Sequence, residues 1–122
     1  MIKSFALVGL GGAVGSMIRY GIYKLMASGQ TIFPWGTFLI NVIGCFIIGV
    51  IMGASTKEGW LQESTTLLLA TGFCGGFTTF SAFALDNVSL IEKHFFSTAL
   101  LYTTASVLVG IIVCKLGIVL TR

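Results

Sequence analysis

Few residues in this chain could do chemistry, and most of them stand inside long apolar runs. Arg19 lies in the first run and Asn41 in the second. Thr78, Thr79, Ser81 and Asp86 lie in the third, and Tyr102, Thr103, Thr104 and Ser106 in the fourth. His94 is the sole histidine and sits in a short connection beside Lys93. No Ser/His/Asp or Cys/His arrangement can be assembled from this set, so the sequence does not read as an enzyme. Cys45, Cys74 and Cys114 are odd in number, far apart and set in apolar surroundings. Their spacing matches no metal site, and they read as small buried hydrophobes.

The densest polar pattern is Gly72-Phe-Cys-Gly-Gly-Phe-Thr-Thr-Phe-Ser-Ala-Phe83. It is a poor helix in the middle of an apolar segment. Gly72, Gly75 and Gly76 each weaken a helix by about 1 kcal/mol relative to alanine. The hydroxyls of Thr78, Thr79 and Ser81 compete for backbone groups. A helix break at membrane depth is tolerated only where protein buries it or where it lines a wet cavity, which marks the stretch as the functional centre. Phe73, Phe77, Phe80 and Phe83 recur through it. On a helix such rings usually pack, but their positive edges, set beside hydroxyls and an amide, also suit a small anion.

The composition fixes the surroundings. Hydrophobic residues make up 56% of the 122 and charged residues only 9%, with mean hydropathy +1.01. A water-exposed surface needs about 25% charged residues, so the chain reads as an all-α membrane protein of one domain, 1–122. Spans of about 20 residues are expected at about Ser4–Ala27, Trp35–Ser55, Ser64–Leu90 and Phe96–Leu120. The first is read as a span rather than a cleaved signal peptide, because its apolar pattern runs past Ala13-Val-Gly15. Gly11 and Gly15, Gly49 and Gly53, and Gly72 and Gly76 form G-x-x-x-G pairs that predict close helix approach.

Charge bears on orientation. Lys3, Lys57, Lys115 and Arg122 belong to one side of a four-span topology, and Arg19, Lys24 and Lys93 to the other. Such a near balance gives little orientation signal, so the chain is expected to insert both ways, which makes an antiparallel dimer possible. No acid precedes Glu58, which argues against a proton-coupled or cation site in the first half. Arg19 is open between a snorkelling role and a positive group at a vestibule. Asn41 is open between helix–helix glue and an amide free to donate hydrogen bonds. Tyr102 and Ser106, four residues apart, share one helix face.

On these residues the chain resembles the Fluc (CrcB) fluoride channels. The resemblance rests on Gly11-Gly-Ala-Val-Gly-Ser-Met-Ile-Arg-Tyr20, on Gly36-Thr-Phe-Leu-Ile-Asn-Val-Ile-Gly44, and above all on the 72–83 stretch. It implies an antiparallel, dual-topology homodimer with a broken third helix, two pores and passive fluoride export across the cell (inner) membrane. It implies a pore lined by Asn41, Phe80, Phe83, Ser81, Tyr102 and Ser106, with Arg19 at the vestibule. It also implies a structural Na+ at the dimer interface, held by backbone carbonyls of Gly75 and Thr78. Ala82, Asp86 and Gly110 depart from the family pattern and change details of the polar track. The rival readings are a four-span multidrug exporter, which needs a first-span glutamate absent here, and a non-transporting membrane assembly subunit.

Overall fold

A computed structural model describes residues 1–122 and is entirely helical. Four segments are long and apolar enough to cross a membrane: Ile2–Met26, Trp35–Ser55, Glu63–Glu92 and Phe96–Thr121. Each end falls within about two residues of the expected boundary. We label Ile2–Met26 α1 and Trp35–Ser55 α2. The third span starts with α3, Glu63–Thr66, followed by a π-helical stretch, Leu67–Cys74, and one further turn, α4, Gly75–Phe77. After Thr78 and Thr79 it resumes as α5, Phe80–Glu92, and α6 is Phe96–Thr121.

The bundle is assembled from two backbone-close pairs, α1 with the third span and α2 with α6. Glycine permits this. A Cβ on Gly15 would meet Phe73 O and stand 2.8 Å from Phe77 N, and one on Gly76 would collide with Gly12 O. In the other pair, a Cβ on Gly49 would meet Cys114 O, and one on Gly117 would lie 2.7 Å from Phe46 O. All three G-x-x-x-G pairs are therefore used, each at a contact with another helix. In lipid there is no hydrophobic drive to bring helices together, so this intimate van der Waals contact carries the association.

Conventional core is correspondingly small, with only 17 of 122 residues buried. One cluster joins Ile51, Ala70 and Cys74. A second joins Leu90, Ala99 and Tyr102, with Phe33, Phe38 and Phe83 packed against it. Lys57 lies over the Trp60 ring at 4.1 Å and Lys24 over Tyr20 at 5.9 Å, pairings suited to helix ends in a headgroup layer.

The turn from α5 to α6 is closed by a Schellman motif. Phe95 N–H donates to Leu90 O at 2.8 Å and His94 N–H to Ile91 O at 3.0 Å. His94 takes the left-handed position with φ 64°, where glycine is the usual residue. Replacing His94 with glycine relieves that conformation and is expected to raise stability by roughly 1 kcal/mol, read as a higher unfolding midpoint in detergent. The helix contacts give a second prediction. Gly76→Ala should lower stability by about 1–3 kcal/mol because backbone, not a flexible side chain, opposes the new methyl. Gly21→Ala, which has nothing within 4 Å of its Cβ, should be neutral or gain up to about 1 kcal/mol. Equal loss from both would show that helix contact does not set the cost.

Candidate functional site

The interruption of the third span is local. Phe77 is still helical, Thr78 (φ −82°, ψ 158°) and Thr79 (φ −151°, ψ 117°) are extended, and Phe80 restarts the helix. Two side chains take up the displaced backbone groups. Asn41 forms a reciprocal clasp on Thr79: its Oδ1 accepts from Thr79 N–H at 2.8 Å and its Nδ2 donates to Thr79 O at 3.1 Å. Thr79 Oγ1 in turn accepts from Ala82 N–H at 3.1 Å and caps α5. On the near side of the break, Thr78 Oγ1 donates to Cys74 O at 2.8 Å.

These bonds leave two carbonyls without their helical donors. In an unbroken helix Thr79 N–H would bond to Gly75 O, and Ala82 N–H to Thr78 O. Both amides are diverted to side-chain oxygens instead. Gly75 is exposed and has nothing within 4 Å of its Cβ position. Both freed carbonyls present hard, neutral oxygens, the donor type that hard cations take.

Arg19 is directed to the same region from α1. Its Nε donates to Gly76 O at 3.0 Å, and Ser16 Oγ donates to the same oxygen at 3.4 Å. Of the two sequence alternatives for Arg19, free snorkelling does not describe the half-buried side chain seen here. The guanidinium is tied to the segment just before the break, with its terminal N–H groups left for other acceptors.

The four phenylalanines divide into two pairs. Phe73 and Phe77 stack with centroids 5.6 Å apart and planes 11° from parallel, and Phe77 is buried. That pair is packing. Phe80 and Phe83 lie 5.7 Å apart and border a cavity of about 540 Å3. Asn41, Ser106, Gly75 and Thr78 border it too. Ser106 Oγ is the one buried side-chain polar atom with no hydrogen-bond partner, and leaving such a group unpaired costs about 1–3 kcal/mol. It therefore keeps hydrogen-bonding capacity that the protein itself does not use.

Not every expected site residue reaches this cavity. Ser81 is exposed and pairs with Thr79 Oγ1 at 3.2 Å. Tyr102 is fully buried, its ring 5.1 Å from Phe83, and its hydroxyl donates to Asp86 Oδ2 at 3.0 Å. Thr103 Oγ1 is also engaged, donating to Asn87 Oδ1 at 3.0 Å. Tyr102 and Thr103 are thus spent on α5, Thr104 is exposed, and Ser106 is the hydroxyl of this row that is buried without a partner. Sequence reading missed Thr37, whose Oγ1 lies 2.9 Å from Tyr23 Oη near the same end as Asp86. It also missed Asn87, whose Nδ2 donates to Phe83 O at 3.1 Å. The polar type of each at an otherwise apolar position was the available signal.

A family model described as CrcB-like protein, Camphor Resistance (CrcB), matches residues 6–118. The chain belongs to the CrcB-like family. It is 41% identical over 123 residues to a protein of Azobacteroides pseudotrichonymphae genomovar. CFP2 named fluoride-specific ion channel FluC, covering 100% of this chain and 98% of that one. Relatives of the same name from Ignicoccus hospitalis and Rhizobium etli (strain CIAT 652) are 43% and 49% identical. The alignments cover 95% and 88% of this chain, and 93% and 86% of the respective relatives. With four apolar spans, this CrcB-like chain is a multi-pass membrane protein.

The clasp on Thr79 generates a stability prediction for the CrcB-like chain. Asn41→Ala removes two hydrogen bonds and strands a backbone N–H and C=O at membrane depth. The expected loss is about 2–6 kcal/mol, from about 1–3 kcal/mol for each of the two stranded groups, measured as the unfolding midpoint in detergent. An unchanged midpoint would show that the break does not depend on Asn41.

Proposed function

We propose that the protein is a fluoride-selective channel that lets the ion leave the cell passively, down its electrochemical gradient. The observation that carries this reading is that relatives matching the chain over nearly its whole length bear the name of a fluoride-specific ion channel. It is a transport function without a catalytic step.

The chemistry of the cavity supports the same conclusion. Fluoride is small and strongly hydrated, so a pore must offer several donors in place of water without holding the ion too tightly. Neutral donors meet that compromise better than a lysine or arginine at the centre. Ser106 Oγ is uncommitted, and Asn41 Nδ2 keeps one N–H beyond its bond to Thr79 O. The edges of Phe80 and Phe83 add partial positive charge without a full ionic bond. Tyr102 and Asp86 hold Phe83 from behind. Ser81 and Arg19 belong to the approaches: Ser81 offers a hydroxyl on the exposed side, and Arg19 supplies positive potential.

The working unit in this reading is an antiparallel homodimer in the cell (inner) membrane. Phe80 is 78% exposed on its own chain, although it stands in the middle of a span and borders the cavity. A second copy would cover it, and the near-even basic charge on the two sides accommodates opposite insertion. The carbonyls of Gly75 and Thr78 would then hold Na+ at the interface, where its charge raises the local potential for anions.

Liposomes carrying the purified protein are expected to release fluoride rapidly and chloride at least a hundredfold more slowly, as read with ion-selective electrodes. Comparable chloride release would overturn the assignment. Phe80→Ile should cut fluoride efflux at least tenfold while the protein still elutes as a folded dimer, because an aliphatic edge carries no positive charge. Undiminished efflux from that variant would remove the ring-edge role.

A further inference from the structure

Two thiols border the same cavity, and ion conduction as described uses neither. Cys45 stands on α2 and Cys74 at the end of the π-helical stretch, and both line the space that holds Asn41, Phe80, Phe83 and Ser106. The antiparallel course of α2 along the third span places both on the wall of that cavity. Asn41 bonds to Thr79, a Cβ on Gly44 would touch Thr78 Cγ2, and Ile47 and Ile48 pack on the cluster containing Cys74. Cys45 falls between those levels, while Cys74 lies one helical turn before Thr78. Neither is in a disulfide.

The donor set decides which ligand suits the pair. No group of three His, Cys, Asp or Glu side chains gathers to hold a metal, so a tetrahedral ion such as Zn2+ has no site. Soft d10 ions, namely Cu(I), Ag(I) and Hg(II), need only two thiolates in a near-linear arrangement, and thiolate is the ligand they prefer. Fluoride is a hard ligand and does not compete for them. The third cysteine, Cys114, does not border the cavity, but Cys45 also neighbours it across the α2–α6 contact, where a Cβ on Gly110 would lie 3.4 Å from Cys45 Sγ, so Cys114 is the rival partner that the variants must separate from Cys74.

We propose that Cys45 and Cys74 form a two-thiolate site for a soft d10 cation, and that its occupation closes the cavity to anions. Each thiol gives its proton to water, two sulfur–metal bonds form, and no electrons are transferred. With Hg(II) the site is neutral and simply filled. With Cu(I) or Ag(I) it carries a net negative charge and also repels fluoride. The inhibitory half of the proposal rests on the conduction reading, whereas the binding half does not.

The test uses Hg2+ on the full chain in liposomes, in chloride-free buffer. Fluoride efflux is expected to fall at least tenfold with a small excess of Hg2+ and to recover with dithiothreitol. Cys45→Ser and Cys74→Ser should each lose this inhibition relative to their own untreated efflux, and Cys114→Ser should keep it. In Cys114→Ser protein, intact mass should show one Hg per chain, and both remaining thiols should be protected together from maleimide. Two Hg per chain, protection of one thiol only, or full inhibition in the Cys45→Ser or Cys74→Ser variant would overturn the site. Should the untreated protein release no fluoride, the conduction reading falls, and mass and labelling alone decide the site.

Discussion

A backbone that leaves the helical path inside hydrocarbon must find a partner for every N–H and C=O it releases, because each one stranded there costs several kcal/mol. The structure of this chain turns on how that requirement is met at Thr78 and Thr79. Asn41 takes both hydrogen-bonding groups of Thr79, and the Thr79 hydroxyl takes the amide of Ala82. Gly76 O receives Arg19 and Ser16 from α1. The break is therefore held from both flanks, by a span before it and a span between. Without those partners the cheaper course would be a continuous helix, and Phe80 and Phe83 would then turn by a different angle relative to α2 and α6.

Those partners reach the break only because the helices touch at backbone distance. Arg19 and Ser16 lie on the α1 surface that continues from Gly11 and Gly15, the residues seated on Phe73 and Phe77. Asn41 lies one turn from Gly44, which is seated on Thr78. A side chain larger than hydrogen at those glycines would push α1 or α2 away and lengthen the bonds that hold the break. The glycines thus act on the site at one remove, and the same residues that permit packing set the positions of the polar groups.

How much of this could be read in the sequence follows from what kind of information each feature needs. The spans were legible because apolar run length is a one-dimensional property, and so were the glycine pairs, because their spacing follows the helical repeat. The partner choices were not. Arg19 was open between two roles, and its bond to Gly76 O depends on the rotation of α1 against the third span. The shared helix face of Tyr102 and Ser106 was correctly legible, yet their hydroxyls part company: one finds Asp86, and the other finds nothing. The four phenylalanines look alike in sequence. The two residues of extended backbone between Phe77 and Phe80 change the angle at which the later pair projects, and this separates the stacked pair from the cavity pair.

The same accounting explains why the groups left over are the interesting ones. A chain under strong pressure to satisfy polar atoms in an apolar medium has every reason to pair Ser106, and α6 offers it backbone carbonyls one turn away. Tyr102, Thr103 and Thr121 on that helix all donate to an acceptor. Ser106 Oγ does not, and it is found beside Phe80, Phe83 and the Asn41 amide. In the channel reading proposed above, a donor held unpaired at some cost beside two aromatic rings suits a ligand that is anionic, small and transient. A permanently bound partner would call for stronger and better satisfied donors. A purely structural role would call for none to be left over.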